Sequence, residues 1–113
     1  MQSPHWSQRG QTVLFKTRVT CVGNMASIRV RISTLMGRRT ATGMVLVAGG
    51  REDRIVRVDG HPSQPFYCPK VDARKIRRDG WYRGQATLAI VEAGGTKTPP
   101  AYEQTKLILV KVP

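Results

Sequence analysis

The stretch Ser27–Ser33, with the sequence SIRVRIS, shows the strictest alternation of side chains in the protein. Its aliphatic residues share one parity, and Arg29 and Arg31 share the other. Successive side chains of a strand point to opposite faces of a sheet, whereas a helix would scatter these residues around its circumference. The stretch therefore predicts a β-strand with one aliphatic face and one face of guanidinium groups.

Comparable patterns on both sides of this stretch predict an all-β chain of about seven antiparallel strands, separated by turn residues. The other predicted strands are Thr12–Val22, Thr42–Ala48, Arg54–Val58, Lys70–Ile76, Trp81–Val91 and Lys106–Val112. The predicted turns and loops are Gly23–Asn24, Gly37–Arg39, Gly49–Gly50, His61–Pro69, Arg77–Gly80 and Ala93–Tyr102. Short strands separated by turn residues in this way are typical of a β-sandwich, and a small β-barrel is the alternative.

Length and composition indicate one folded unit. The chain has 113 residues, of which 40% are hydrophobic and 23% are charged, and such a chain is large enough to bury a core of its own. Residues 1–10 are mostly polar and predict an irregular N-terminal arm with Trp6 as its one anchor. Residues 11–113 are expected to form a single β-sandwich domain.

The charge of the protein is strongly unbalanced. Nineteen lysines and arginines stand against seven acidic residues, for a formal net charge of +12, and thirteen of the basic residues are arginine. Arginine pairs bidentately with carboxylates and phosphates, and a charge excess of this size attracts polyanions. The expected partners are acidic protein surfaces or nucleic acid.

No stretch of the sequence is long and apolar enough to cross a membrane. The longest apolar runs, such as Met44–Ala48, are far shorter than the roughly 20 residues of a spanning helix. Residues 1–10 also lack the apolar core of a signal peptide. The expected location is therefore a virion or the cytoplasm.

Residues that catalysis or metal binding would need are few and poorly spaced. His5 falls in the arm and His61 in a proline-rich loop. Cys68 could pair with His61, but no third member of a catalytic triad is evident. Cys21 and Cys68 lack metal-ligand spacing, so they are either one disulfide or two buried thiols. We expect no catalytic residue, no metal and no cofactor, and therefore no enzyme.

The C-terminal third resembles the end of an immunoglobulin-like or fibronectin-type-III-like sandwich. Asp79–Tyr82 is a turn that leads into an alternating strand, and Leu107–Val112 follows after a loop. In those families a tyrosine at this place forms a corner whose hydroxyl ties the strand to the preceding loop. The resemblance implies that Tyr82 is the corner residue, with Trp81 as the second choice, and that 71–76 is the preceding strand.

This resemblance covers about 40 residues on both sides of the proposed corner. Within and outside that region, the sequence departs from the antibody pattern. Gly84 stands two residues after Tyr82, where an antibody-type domain has its second cysteine. No tryptophan lies in the middle of the chain. The resemblance therefore implies a sandwich without the usual disulfide.

Basic residues concentrate before and after the proposed corner, with aromatic residues among them. Such a mixture can attract phosphates and stack bases, or it can be a solvated rim around a structural corner. The candidate binding residues are Arg74, Lys75, Arg77, Arg78, Trp81 and Arg83, together with Arg29 and Arg31. The candidate structural residues are Tyr82, Cys21 and Cys68.

Taken together, the composition and the absence of catalytic groups predict a structural or interaction module. An accessory protein that decorates a larger assembly such as a virion fits this description, and self-association into a homo-oligomer is compatible with it. The alternative is a basic nucleic-acid-binding or ribosome-associated protein, whose affinity would fall steeply with salt.

Overall fold

The computed structural model describes residues 1–70, 73–92, 95–96 and 101–113, and it confirms the all-β prediction. The described residues form nine strands in chain order. They are β1 His5–Ser7, β2 Thr12–Thr17, β3 Ser27–Thr40, β4 Gly43–Arg57, β5 Phe66–Cys68, β6 Gly80–Glu92, β7 Gly95–Thr96, β8 Ala101–Gln104 and β9 Ile108–Val110.

The strands pair into two antiparallel sheets. A three-stranded sheet has the order β1-β2-β5, and a six-stranded sheet has the order β4-β3-β6-β7, with β8 and β9 also paired to β6. Neither sheet closes on itself among the described residues, so the fold is sandwich-like and the alternative of a closed barrel is wrong. Trp81–Val91, predicted as a long strand, is confirmed within β6.

The core lies on the inward side of the six-stranded sheet, where the even-numbered residues of β3 point. Val30 and Met36 are fully buried and Ile32 is nearly so, whereas Arg29 is exposed. The alternation read from Ser27–Ser33 is therefore confirmed. Two clusters fill the core. They are Val13, Phe15, Met36, Cys68, Tyr82 and Val110, and Val19, Val30, Ile32, Val56 and Phe66.

One long hairpin occupies the region for which the sequence predicts three separate strands and two turns. The ladder between β3 and β4 runs from Ser27 opposite Arg57 to Thr40 opposite Gly43. The predicted turns at Gly37–Arg39 and Gly49–Gly50 are therefore wrong, and Thr42–Ala48 and Arg54–Val58 belong to one strand.

Two glycines in this hairpin make room for side chains of the neighbouring strand. A Cβ atom on Gly37 would lie 2.9 Å from the Met44 Cε atom, and one on Gly49 would lie 3.0 Å from the Leu35 Cδ2 atom. A register shift at Gly37 also marks a β-bulge in the ladder. Glycine inside a strand often marks such a bulge or a close approach, and the sequence alone does not distinguish it from a turn glycine.

The N-terminal segment is more ordered than the prediction of an irregular arm. Within residues 1–10, β1 pairs with β2, with Trp6 opposite Val13. Pro4 is buried, and Trp6 packs against the core. A strand of three residues is too short for alternation to indicate it, so only the pairing with β2 reveals this element.

Other strand boundaries differ from the prediction by several residues. The strand predicted over Thr12–Val22 ends at Thr17, and the last strand is shorter than Lys106–Val112. The loop His61–Pro69 contains β5, which pairs at the edge of the smaller sheet, as expected for a proline-rich segment.

Two predicted segments extend beyond the described residues. Of the strand predicted over Lys70–Ile76, residues 71–72 lie outside the described part, and residues 70 and 73–76 form no strand. The Ile76 carbonyl instead accepts a hydrogen bond from the Val13 N–H group, at 2.8 Å. Of the loop Ala93–Tyr102, residues 93–94 and 97–100 lie outside the described part, and the others contribute to β7 and β8.

Candidate interaction surface

The six-stranded sheet has an outer face, which we define as the side opposite the core. Because the even-numbered residues of β3 point into the core, its odd-numbered residues up to the bulge point outward, and so do their partners in register. These outward residues on β3, β4 and β6 include Arg29, Arg31, Ser33, Leu35, Leu46, Gly49, Arg51, Asp53, Ile55, Arg83, Gln85 and Thr87.

At one end of the outer face, Arg31 and Asp53 form an ion pair. The Arg31 Nε and Nη2 atoms donate to the two carboxylate oxygens of Asp53, at 2.8 and 3.0 Å. The hydrogen bond from Arg31 holds the pKa of the Asp53 carboxyl below its ordinary value. Arg31 is therefore engaged within the fold, whereas Arg29 beside it remains exposed opposite Ile55.

The other end of the outer face carries a group of exposed apolar side chains, which we call the apolar patch. Its members are Leu35, Met44, Leu46, Trp81 and Leu109, each between 40% and 65% exposed. Trp81 and Leu109 are opposite each other on β6 and β9. A groove of about 260 Å³ runs over part of the patch, between Leu46 and Gln85. Large side chains exposed together are uncommon on a monomer and typically mark an interaction site.

Two arginines flank the apolar patch. The Arg39 guanidinium carbon lies 5.4 Å from the centroid of the Trp81 ring, a cation–π contact. Arg83 lines the groove beside Leu35 and Met44. Neither arginine has an ion-pair partner in the part of the chain that the structure describes. The patch is therefore apolar at its centre and positively charged at its rim.

The residues of the predicted basic and aromatic group lie partly on β6 and partly in the segment before it. Trp81 and Arg83 lie on the outer face with the apolar patch. Arg77 instead donates from its Nε atom to the Gln11 carbonyl, at 3.1 Å. Arg74 and Lys75 are exposed in the segment before β6.

The exposed Arg39 and the aliphatic members of the apolar patch were missed by sequence reasoning. The sequence predicts a turn at Arg39, whereas this residue lies in β3. The run Met44–Ala48 lies in a predicted strand, but the sequence does not show which of its side chains are exposed, and in the structure its first three residues are exposed. The absence of charge in this run, in so basic a chain, was the available signal.

The Tyr82 side chain lies on the inner side of β6, whereas that of its neighbour Trp81 lies on the outer face. Its side chain is fully buried, and its hydroxyl donates a hydrogen bond to the Arg78 carbonyl, four residues upstream. Burial raises the pKa of the Tyr82 hydroxyl above its ordinary value. This contact ties the start of β6 to the preceding loop.

The groups that could carry chemistry lie apart from one another. Cys21 and Cys68 are free thiols, and burial raises the pKa of both. Cys68 belongs to the core, whereas His61 is exposed and lines a surface groove with Asp59. Within the described ranges, no group of three or more His, Cys, Asp or Glu side chains is placed to hold a metal ion.

Comparisons with protein-family models, with curated proteins and with solved structures find no match. Among the residues described, no helix is long and apolar enough to span a membrane. The fold is all-β, with two antiparallel sheets arranged as in a sandwich.

Proposed function

We propose that this protein is a non-enzymatic structural or interaction module, an accessory protein that decorates a larger assembly such as a virion. It docks onto an acidic protein surface through the apolar patch and its rim of Arg39 and Arg83. The observation that carries this proposal is the coincidence of exposed apolar side chains and unpaired arginines on one end of the outer face.

The composition of the patch favours a protein partner. Protein interfaces are enriched in aromatic residues, methionine and arginine and depleted in lysine and acidic residues. Trp81, Met44, Arg39 and Arg83 fit this preference. Tryptophan and arginine are also the residues that most often dominate binding energy, particularly near the centre of an interface.

We further propose that the chain is an immunoglobulin-like or fibronectin-type-III-like sandwich. The hydrogen bond from the Tyr82 hydroxyl to the Arg78 carbonyl supports this proposal, because a corner tyrosine of those folds makes the same contact. Sandwiches of this kind often serve as interaction modules, although a fold does not by itself define a function.

A nucleic-acid-binding role is the second candidate. The Arg39 guanidinium over the Trp81 ring and the net charge of +12 favour it, because single-stranded nucleic acid is bound by stacking and phosphate attraction. Aliphatic residues make up most of the patch, however, and successive bases require several aromatic platforms. The protein-binding proposal therefore uses more of the observed surface.

Two acidic probes of equal charge distinguish these functions: a glutamate–leucine copolymer and poly-L-glutamate. An apolar docking patch should bind the copolymer more tightly, and that advantage should persist at high salt, because apolar burial is not screened. The affinity for an oligo(dT) strand should instead fall as salt concentration rises, and linearly on a log–log plot of the two. Tryptophan fluorescence reports all three titrations.

Matched variants assign the binding to the patch. Leu46→Ser should abolish the preference for the copolymer, whereas Ile55→Ser, at the other end of the outer face, should retain it. Equal affinity of the wild type for the two polypeptides, with tighter binding to oligo(dT), would reject the protein-docking proposal in favour of the second candidate.

A further inference from the structure

The free edge of β4 has two halves with different surroundings. Along the half that follows Gly50, the Lys70 ammonium donates to the Arg51 carbonyl at 3.0 Å, and an Arg54 Nη1 atom donates to the Gln64 carbonyl at 2.9 Å. The loop of residues 61–70 therefore flanks this half. This half of β4 also carries charged residues of both signs, from Arg51 to Arg54, which discourage pairing with another strand.

The half of β4 next to the hairpin tip lacks these protections. Its residues Gly43–Leu46 are all exposed, and β3 is the only strand paired with β4 among the described residues. An unpaired strand edge presents N–H and C=O groups that another strand can pair with, particularly where the side chains are apolar. This half of β4 is therefore able to accept a strand.

The segment 40–50 that contains this edge has no charged residue, although the chain carries a net charge of +12. Arg39 and Arg51 stand immediately outside it, and Val45 is at its centre. An antiparallel pairing centred on Val45 would place the segment opposite itself, with Met44 of one copy opposite Leu46 of the other. Every pair in that ladder would be uncharged.

We propose that the Gly43–Val47 edge of β4 pairs with the same edge of a second copy, so that the two six-stranded sheets join across a two-fold axis. The occupant is a second copy because the segment is self-complementary about Val45 and because a ladder centred there pairs only uncharged residues. A two-fold strand pairing buries the same residues on both copies. It also brings the two apolar patches side by side on the joined outer face.

This pairing has a salt dependence opposite in sign to that of polyanion binding. Two chains of like net charge repel, and the screening length falls from about 10 Å at 0.1 M salt to about 3 Å at 1 M. Self-association should therefore strengthen as salt rises, whereas binding of an acidic probe through Arg39 and Arg83 weakens. The two behaviours can be measured on the same sample, so failure of one proposal is separable from failure of the other.

Analytical ultracentrifugation of the full chain tests the proposal. We expect a monomer–dimer equilibrium between about 1 µM and about 1 mM protein, a range suited to weak association. Val45→Lys should weaken association at least about tenfold, because it opposes two like charges across the axis. Ile55→Lys adds the same charge outside the edge and should leave association unchanged. A wild-type chain that stays monomeric at high salt would overturn the proposal.

Disulfide cross-linking tests the same pairing without placing a charged side chain in the hairpin, where it could disturb the fold. Residues directly opposite in an antiparallel pair have Cα atoms about 4.5–5.5 Å apart, which is within disulfide reach. In a Cys21→Ser background, Val45→Cys should form a covalent dimer on mild oxidation, and Ile55→Cys should not. Equal cross-linking of the two variants, or none at position 45, would overturn the proposed pairing.

Discussion

At the scale of single residues, Tyr82 makes the clearest stabilising contact. Its ring is fully buried and its hydroxyl is hydrogen-bonded to Arg78. Tyr82→Phe should lower the free energy of unfolding by about 0.5–1.5 kcal/mol, since the carbonyl loses its donor. Urea denaturation measures this loss. Tyr102→Phe is the matched control, because the Tyr102 hydroxyl donates to Gln104 at an exposed site, and its stability should be unchanged.

Gly84 is required for space in the core. A Cβ atom there would lie 2.8 Å from the Cδ1 atom of the Phe15 ring, and overpacking of this kind costs about 1–3 kcal/mol. Gly84→Ala should therefore lower the denaturation midpoint clearly. Gly50→Ala is the control, because its Cβ would meet only the flexible end of Lys70, at 3.4 Å. A stable Gly84→Ala variant would show that Phe15 can move aside.

At the scale of elements, β1 matters more than its length suggests. It pairs with β2 and brings Trp6 onto the core. Deletion of residues 1–7 should lower the melting temperature by several degrees, since a change of about 1 kcal/mol shifts a domain of this size by roughly 4–8 °C. Deletion of residues 1–3, which are exposed, should cost much less. Equal melting temperatures for both truncations would contradict the structural role of β1.

The hairpin of β3 and β4 determines where the candidate surfaces lie. Its length carries Met44 and Leu46 to the end of the six-stranded sheet that holds Trp81. The hairpin therefore supplies three of the five residues of the apolar patch and also the free edge of β4. Leu46→Ser should accordingly weaken the binding of acidic probes, and Val45→Lys should weaken self-association.

At the scale of the whole molecule, stability should decrease at alkaline pH. Burial raises the pKa of the Cys68 thiol above 9.0 and that of the Tyr82 hydroxyl above 10.0. As pH rises, the unfolded chain loses these protons first, so the contribution is complete below pH 9.0 and is lost as pH passes the folded-state values. Urea midpoints between about pH 7 and 11 should fall, and less steeply for Cys68→Ala and Tyr82→Phe.

The sequence by itself determined the secondary-structure class and the sides on which side chains lie. The direction of a side chain on a strand depends only on its parity along the chain, so SIRVRIS was sufficient to place Ile28 and Arg29 on opposite faces. The hydrogen bond from the Tyr82 hydroxyl to the preceding loop was expected only from the resemblance to immunoglobulin-like sandwiches, because the local pattern of a turn before a strand indicates the strand and not the contact.

Only the tertiary structure decided which strands are neighbours and where the exposed surface lies. Gly37 and Gly49 were interpreted as turns because a glycine that makes room for a cross-strand side chain has the same local signature as a turn glycine. The contact between Arg39 and Trp81 joins positions far apart in the chain. Such a contact depends on the register of the strands, which is set by pairing between distant segments and by the burial of one common face.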